Sequence, residues 1–207
     1  MEGFRALRAL ILAGAGLACG LLAAAGPMAV QAEEVALGEA LRQGGYVIFL
    51  RHGQEAGQDQ NPLDLEDCAT QQFLTEEGRA QVHAIGEAFR ALEIPVGRVL
   101  SSPICRAYDT AVAAFGSAEI LDVLSLPATI DPALRDMQPG FLANLLATSP
   151  QAGANTIVVS QSNLLMTVAG VGVERAEAAI FAGDGADGFM LVRHVAWDAW
   201  PDLNPSN

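Results

Sequence analysis

The sequence predicts an α/β fold, a three-layer α/β/α sandwich with a mostly parallel central sheet and an antiparallel edge strand. Short apolar runs rich in β-branched residues alternate along the chain with longer segments of helical periodicity. Polar residues follow the clearest of these runs, as expected where ligands bind beyond the carboxyl ends of parallel strands. Near the end of the chain a glycine-rich turn joins two more apolar runs, and a hairpin there places antiparallel strands at one edge.

The first 32 residues are predicted to be a secretory signal peptide and not part of the fold. Arg5 and Arg8 precede a long apolar run, and the small-x-small pattern Val30-Gln31-Ala32 predicts cleavage after Ala32. The alternative is a membrane anchor, although the run is shorter than the roughly 20 apolar residues that a spanning helix prefers. On the first interpretation the mature domain is 33–207. It is then periplasmic or secreted and has no stable membrane span.

The charge of the chain excludes some classes of partner. The 207 residues have a formal net charge of −13 and include no lysine, and loss of Glu2, Arg5 and Arg8 with the signal peptide changes this charge to −14. An acidic, lysine-free surface argues against binding of nucleic acid or of anionic lipid. A small anion can still bind where a few arginines converge on one pocket. The oligomeric state is not readable from the sequence.

The first half of the chain predicts two helices and two strands. A short helix over 34–42 precedes a buried strand over 46–50. A long amphipathic helix follows over 75–91, with Thr75 as its N-cap. A second, short strand ends at 99–100. These elements alternate as parallel strands with crossover helices do.

The second half predicts three helices and three strands. In chain order these are a helix over 105–115 that ends at Gly116, a helix over 141–148, a strand over 156–159, a helix over 164–169, and strands over 179–181 and 189–195. The last two strands are joined by the glycine-rich turn at 183–188.

Cysteine and histidine usage limits the metal and redox chemistry of the mature chain. Two cysteines follow the predicted cleavage site, Cys68 and Cys105. Export places them where a disulfide persists, but the sequence leaves open whether they meet. The three histidines, His52, His83 and His194, lie far apart, and no tight cluster of metal ligands occurs. We therefore predict no metal site and no cofactor.

Polar residues follow three of the predicted strands and are expected to face one crevice. They are Arg51-His52-Gly53, Ser101-Ser102-Pro103 with Arg106, and Ser160-Gln161-Ser162-Asn163. A neutral imidazole can attack phosphorus and form a phosphohistidine. Guanidinium groups suit the phosphoryl oxygens because they present a planar fork of donors. Each of these residues alone is compatible with an ordinary surface side chain, but together they indicate a site for a small phosphorylated molecule or for inorganic phosphate.

Three motifs carry a resemblance to a known family. Arg51-His52-Gly53 follows the first strand, and Leu74-Thr75 with Gly78-Arg79 opens the long helix. The third motif is Ser101-Ser102-Pro103 followed by Arg106-Ala107 and Thr110-Ala111. In this combination the chain resembles the histidine phosphatase superfamily, also called the phosphoglycerate mutase-like family, over residues 36–203.

The resemblance implies a role for each site residue. His52 would accept the phosphoryl group, and Arg51 and Arg106 would hold its oxygens. A carboxylic acid would protonate the leaving oxygen, and Asp136 in the segment Leu134-Arg135-Asp136 is the candidate. Asp136 can equally cap a turn or pair with Arg135.

The sequence departs from the family pattern at Gln161, which occupies the place of a second catalytic histidine in the phosphate-binding site. The Gln161 amide still donates a hydrogen bond, but it is neutral. Loss of one preorganised stabilising group typically lowers the rate by about 10²–10³. Gln72 also stands where one exported branch of the family usually has an arginine.

The sequence leaves three hypotheses. The first is an exported phosphomonoesterase with a phosphohistidine at His52, impaired because of Gln161. The second is a non-catalytic protein of the bacterial envelope that binds phosphate or a phosphorylated ligand. The third is an envelope interaction protein that retains the fold for stability alone.

Overall fold

The structure, a computed structural model, describes residues 27–184 and 188–204. Most of the predicted signal peptide and the centre of the 183–188 turn lie outside the described residues. The predicted cleavage site after Ala32 falls within the first helix, α1 (Pro27–Gln43), which begins earlier than the predicted helix. Cleavage and export stay predictions. Within the described residues, no helix is long and apolar enough to cross a membrane.

Helices and strands alternate along the chain as predicted. The strands are β1 (Tyr46–Arg51), β2 (Glu55–Ala56), β3 (Phe73–Leu74), β4 (Val96–Ser101), β5 (Glu119–Ile120), β6 (Asn155–Ser160), β7 (Ala178–Gly183) and β8 (Phe189–Val195). The helices after α1 are α2 (Glu76–Ala91), α3 (Cys105–Phe115), α4 (Pro132–Ala147) and α5 (Ser162–Ala169). Short 3-10 helices occur at Cys68–Thr70, Asp122–Leu124, Pro127–Thr129 and Trp200–Leu203.

The central sheet has six strands in the order β5-β4-β6-β1-β7-β8. The first four of these strands are parallel, and β7 is antiparallel to both of its neighbours. This confirms the predicted mostly parallel sheet with an antiparallel edge. Arg51 of β1 lies opposite Ser160 of β6, and Ser101 of β4 lies opposite Val159. The carboxyl ends of β1, β6 and β4 therefore lie side by side.

Helices cover both faces of this sheet and complete the predicted three layers. One face packs against α1, α2, α3 and the final 3-10 helix, where Trp200 is fully buried. The other face packs against α4 and α5. Residues of β1 alternate between the two cores, with Ile48 and Leu50 in the first and Val47 and Phe49 in the second. Each fully buried aliphatic or aromatic side chain of this kind contributes roughly 1.5–3 kcal/mol.

The predicted start of α2 and end of α3 are confirmed. Thr75 caps α2, since its Oγ1 accepts a hydrogen bond from the Gly78 N–H at 3.0 Å. At Gly116 the backbone turns to φ 86°, which favours glycine, and the N–H donates to Val112 O at 2.8 Å.

The predicted helix over 141–148 begins much earlier, at Pro132, and ends at Ala147. Asp131 caps it by accepting from the Ala133 N–H at 2.8 Å. Pro132 fits the first turn because an N–H there has no helical partner. Pro139 lies inside the helix, where proline removes a hydrogen bond and usually ends a helix. For this reason the sequence pattern conceals the first half of α4.

Cys68 and Cys105 form a disulfide with a Cα–Cα distance of 5.7 Å, which answers the question that the sequence left open. The bridge joins the 57–72 loop to the first residue of α3. Gln71 strengthens this junction, because its Oε1 accepts from the Cys105 N–H at 2.9 Å and its Nε2 donates to Asp64 O at 2.8 Å. The loop is therefore fixed to the start of α3.

Replacement of both Cys68 and Cys105 by serine is expected to lower the free energy of unfolding by about 4 kcal/mol. The bridge spans a sequence separation of 37 residues, and closing a loop of that size restricts the unfolded chain. Urea unfolding of the oxidised protein and of the double variant measures the difference. A loss below about 1 kcal/mol would contradict this expectation.

Candidate active site

The candidate site lies where β1, β6 and β4 end. Arg51 is the last residue of β1, and His52 follows it directly. Gln161 follows β6, the strand between the other two, and Ser102 follows β4. Arg106 lies in the first turn of α3. The structure thus brings these residues to one edge of the sheet, as the sequence predicted.

His52 is held with one ring nitrogen occupied and only 3% of its surface exposed. Its Nδ1 lies 3.0 Å from Gly53 O. Because a carbonyl only accepts, Nδ1 carries the proton and the neutral ring has its lone pair on Nε2. Burial, with the charges of Arg106 and Arg51, lowers the pKa of His52 to about 4, although Gly53 O and Glu55 act in the opposite direction. His52 is therefore a neutral imidazole with a free nucleophilic nitrogen.

Two glycines allow the loop after β1 to pack against α2. A Cβ added to Gly53 would lie 2.7 Å from Gly78 O, and one added to Gly78 would lie 2.1 Å from Gln54 O. The Gly53 N–H also donates to Thr110 Oγ1 at 3.1 Å, and this hydroxyl donates to Arg106 O at 2.8 Å. The loop after β1 is therefore fixed between α2 and α3. This close packing explains why both motifs contain a glycine.

The two predicted phosphate-binding arginines each have an unused donor. Arg51 Nη1 donates to Val173 O at 3.1 Å, and Arg106 Nη1 donates to Asp59 Oδ1 at 3.0 Å. Three buried side-chain nitrogen or oxygen atoms lack a partner among the described residues, and two of them are Nε of Arg51 and Nε of Arg106. A buried donor without an acceptor is costly. Nε of each arginine is therefore an unsatisfied donor at this edge of the sheet.

Glu55 and Arg175 belong to the site, although the sequence analysis missed both. Glu55 Oε2 lies 3.5 Å from His52 Nδ1 and accepts from Arg175 Nε at 2.7 Å. Burial raises the pKa of Glu55, but the hydrogen bond from Arg175 and the neighbouring charges outweigh it, so that the pKa lies below its ordinary value. Glu55 is therefore an ionised carboxylate beside His52. Burial, followed by the charge of Arg175, lowers the pKa of Arg51, and Glu55 and Glu174 oppose this shift.

Asp59 is a second acid that the sequence analysis missed. Its Oδ1 accepts both from Arg106 and from the Gln72 N–H, the latter at 2.8 Å. Gln72, which stands at the expected arginine position, directs its Nε2 to Gly57 O at 3.3 Å. The 57–72 loop thus places a carboxylate on Arg106, a predicted phosphate ligand.

Gln161 is buried and its amide is oriented. Its Oε1 lies 3.2 Å from Ser160 Oγ, whose hydroxyl donates to Leu124 O at 2.7 Å, and its Nε2 donates to Ser102 Oγ at 3.4 Å. An amide nitrogen has two hydrogens, so that one remains for an anion. Gln161 can therefore offer a hydrogen bond, but no charge, at the point where the family pattern has a histidine.

Asp136, the predicted proton donor, is exposed on α4. No hydrogen bond or ion pair of the described residues joins it to His52, Arg51 or Arg106. Its role as an acid stays a prediction. The buried neighbour Gln138 donates to Val123 O, at 2.8 Å, and thereby fixes this part of α4.

Comparison with known proteins identifies a family model that covers more than half of the chain. The model of the histidine phosphatase superfamily (branch 1) matches residues 47–163. Among curated proteins, none matches this sequence.

Several solved structures are similar to the chain. The protein histidine phosphatase SixA complexed with tungstate has 20% identity and a TM-score of 0.54, with 74% of this chain and 97% of that chain covered. A mycobacterial glucosyl-3-phosphoglycerate phosphatase complexed with VO3 has 18% identity and a TM-score of 0.51, with 75% and 100% covered. A variant phosphoserine phosphatase from Entamoeba histolytica in complex with phosphoserine has 13% identity and a TM-score of 0.50, with 74% and 98% covered. At these identities the similarity shows a shared fold.

Proposed function

Because the chain belongs to the histidine phosphatase superfamily, we propose that it is an exported, periplasmic or secreted protein that hydrolyses phosphomonoesters slowly through a phosphohistidine at His52. The observation that carries this proposal is the pair of buried, unpartnered Nε atoms on Arg51 and Arg106 at the edge of the sheet where His52 lies. Tungstate and VO3 in the two similar structures are consistent with a small phosphorylated ligand.

The geometry supports a two-step reaction. In the first step His52 Nε2 attacks phosphorus, the bond to the leaving oxygen breaks, and that oxygen takes up a proton, for which Asp136 is the predicted donor. In the second step water attacks phosphorus and passes a proton to the carboxylate left by the first step, while the bond from phosphorus to the imidazole breaks. This releases inorganic phosphate and restores neutral His52 and the protonated acid. Arg51 and Arg106 hold the phosphoryl oxygens throughout, and such positioning with charge neutralisation carries most of phosphoryl-transfer catalysis.

Gln161 is the reason to expect slow turnover. A protonated histidine at this position would add a positive charge where negative charge gathers in the transition state. The amide offers one hydrogen bond and no charge. We expect the missing charge to lower the rate by about 10²–10³ and to affect turnover more than ligand binding.

The second candidate function is non-catalytic binding of phosphate or of a phosphorylated ligand. Neutral Gln161 together with two arginines that keep unused donors favours it. Binding depends on the arginines, whereas turnover also depends on the missing charge. Measurable phosphate binding with no hydrolysis would support this alternative.

The proposal is tested by assaying the purified chain 33–207 for hydrolysis of an aryl phosphate and by trapping the covalent intermediate. Rapid quenching at alkaline pH, where phosphohistidine is comparatively stable, followed by mass spectrometry would locate the phosphoryl group. Phosphate on the peptide that contains His52 supports the proposal. Turnover with the phosphoryl group on another residue would refute it.

The activity is expected to survive in mildly acidic solution. Burial and the neighbouring arginines disfavour the imidazolium form, so that the pKa of His52 lies at about 4, below the ordinary value of 6.5. Above that pH the Nε2 lone pair is free, and as the pH falls through about 4 protonation removes it. The pH dependence of kcat/KM measures the pKa at which activity is lost, and circular dichroism is the control for folding. An acidic limb centred at 6.5 in the folded protein would contradict it.

A further inference from the structure

We propose that the crevice is matched to an oxyanion with a single negative charge, such as the singly protonated form of a phosphomonoester, and that Asp59 sets this preference. The inference rests on the proposed function, since it assumes that the phosphoryl group binds at Arg51 and Arg106. It goes further by naming the charge state of the ligand and the residue that selects it.

The charges around the crevice nearly cancel. Within the described residues, the ion-paired side chains at this edge, together with Arg51, are three cations and two anions: Arg51, Arg106, Arg175, Glu55 and Asp59. His52 is neutral in the hydrogen-bonding arrangement described above, and Gln161 has no charge. The sum is at most +1, because exposed Glu174 lies close enough to Arg51 and Arg175 to add negative charge. A dianion therefore lacks a full complement of positive charge.

Asp59 is the anion in direct contact with Arg106, one of the two predicted phosphate ligands. It contacts Nη1 of Arg106 at 3.0 Å, and the unpartnered Nε belongs to the same guanidinium group. An oxyanion bound to Arg106 would lie within one Debye length, about 10 Å, of the Asp59 carboxylate. Coulomb energy is proportional to the charge of the ligand, so that the repulsion on a dianion is twice that on a monoanion.

The position of Asp59 is fixed by the fold. The Gln72 N–H donates to the same Oδ1 at 2.8 Å, and the Cys68–Cys105 disulfide joins the 57–72 loop to α3 next to Arg106. The carboxylate is thus held in place from two sides and remains near the anion. The second ionisation of a phosphate ester has a pKa of about 6, so that both charge states are accessible to a natural ligand.

The test compares two tetrahedral oxyanions of similar size and fixed charge, sulfate and perchlorate, at pH 7. Asp59→Asn keeps the oxygen that accepts from Gln72 and removes only the charge. We expect this variant to bind perchlorate about threefold and sulfate about tenfold more tightly than the wild-type protein. The second factor is roughly the square of the first, because the ligand charge is doubled. Calorimetry for sulfate and ³⁵Cl NMR for perchlorate measure the two affinities.

Glu66→Gln is the matched control, because it removes the same charge from an exposed position on the same loop. The affinities of this variant for both anions should differ from those of the wild-type protein by less than about twofold. Equal changes for the two anions in Asp59→Asn, or weaker binding of both, would overturn the inference and leave Asp59 as a residue that only positions Arg106. Absence of binding in every variant would overturn the proposed function as well, so that the two failures are distinguishable. Asp59→Ser gives a second variant if the asparagine protein does not fold.

Discussion

Replacing His52 by alanine is expected to abolish phosphomonoester hydrolysis, with a fall in kcat/KM of roughly 10³ or more. In the proposed mechanism His52 provides the nucleophile, and its Nε2 has no substitute among the histidines of the described residues. His83 is exposed on α2, and His194 lies on β8, 3.4 Å from Glu177. Initial rates with an aryl phosphate, measured at several substrate concentrations, separate the effect on kcat from that on KM.

The His52 variants need controls because the side chain is buried. His52→Asn is the closer substitution, since its amide nitrogen can still donate to Gly53 O as Nδ1 does at 3.0 Å. His83→Ala is the matched control and should retain wild-type rates. Phosphate binding should persist in both His52 variants, because it depends on Arg51 and Arg106. Unchanged hydrolysis in His52→Ala would show that another residue is the nucleophile.

Much of the fold could be predicted because its signals are local. The strands β1 and β6 are short, continuous apolar runs, and their length and their β-branched residues distinguish them from buried helices. Thr75 and Gly116 mark helix ends through capping and through positive φ, both of which depend on neighbouring residues only. The start of α4 was predicted wrongly because Pro139 is tolerated inside a packed helix, and that tolerance depends on tertiary contacts.

The candidate site also contains residues that local sequence signals predict and residues that only the tertiary structure reveals. Arg51, His52 and Gln161 each lie at or directly after the end of a strand, and parallel strands bring such residues to one edge whatever their separation in sequence. Glu55 was missed because its role comes from contacts with His52 and with Arg175, and the latter is 120 residues away. Asp59 was missed because its partner Arg106 is 47 residues away and because the disulfide that fixes its loop could not be read from spacing.

The missed acids change the interpretation of the site. Sequence reasoning counted two arginines, one lost histidine and a missing arginine at Gln72, which describes a phosphate site with reduced positive charge. The structure adds Glu55 and Asp59 beside His52 and Arg106, and a compensating Arg175. The electrostatic deficit is therefore larger than Gln161 alone implies. A restored histidine at that position should act on turnover and on the preference for ligand charge.

Gln161→His is accordingly expected to raise the rate of phosphomonoester hydrolysis by about 10²–10³. The amide already lies between Ser160 and Ser102 at the end of β6, and an imidazole there can donate to a phosphoryl oxygen and add positive charge when protonated. Gln161→Met is the control, because it removes the amide without adding charge and should not raise the rate. Rates are measured with an aryl phosphate under the conditions used for His52→Ala.

Three outcomes of the Gln161→His experiment have different meanings. Slow turnover by the wild-type chain and faster turnover by the variant would identify a phosphatase whose site lacks one stabilising charge. An inactive wild-type chain with an active variant would show that nucleophile and arginines are competent, so that the natural protein binds its ligand without turnover. If the wild-type chain and the variant are both inactive while phosphate still binds, the loss of positive charge at the site extends beyond Gln161. Glu55 and Asp59 are then the next residues to replace. The chain would then bind phosphate without hydrolysing phosphomonoesters, because binding depends on the two arginines whereas turnover also depends on the charges around them.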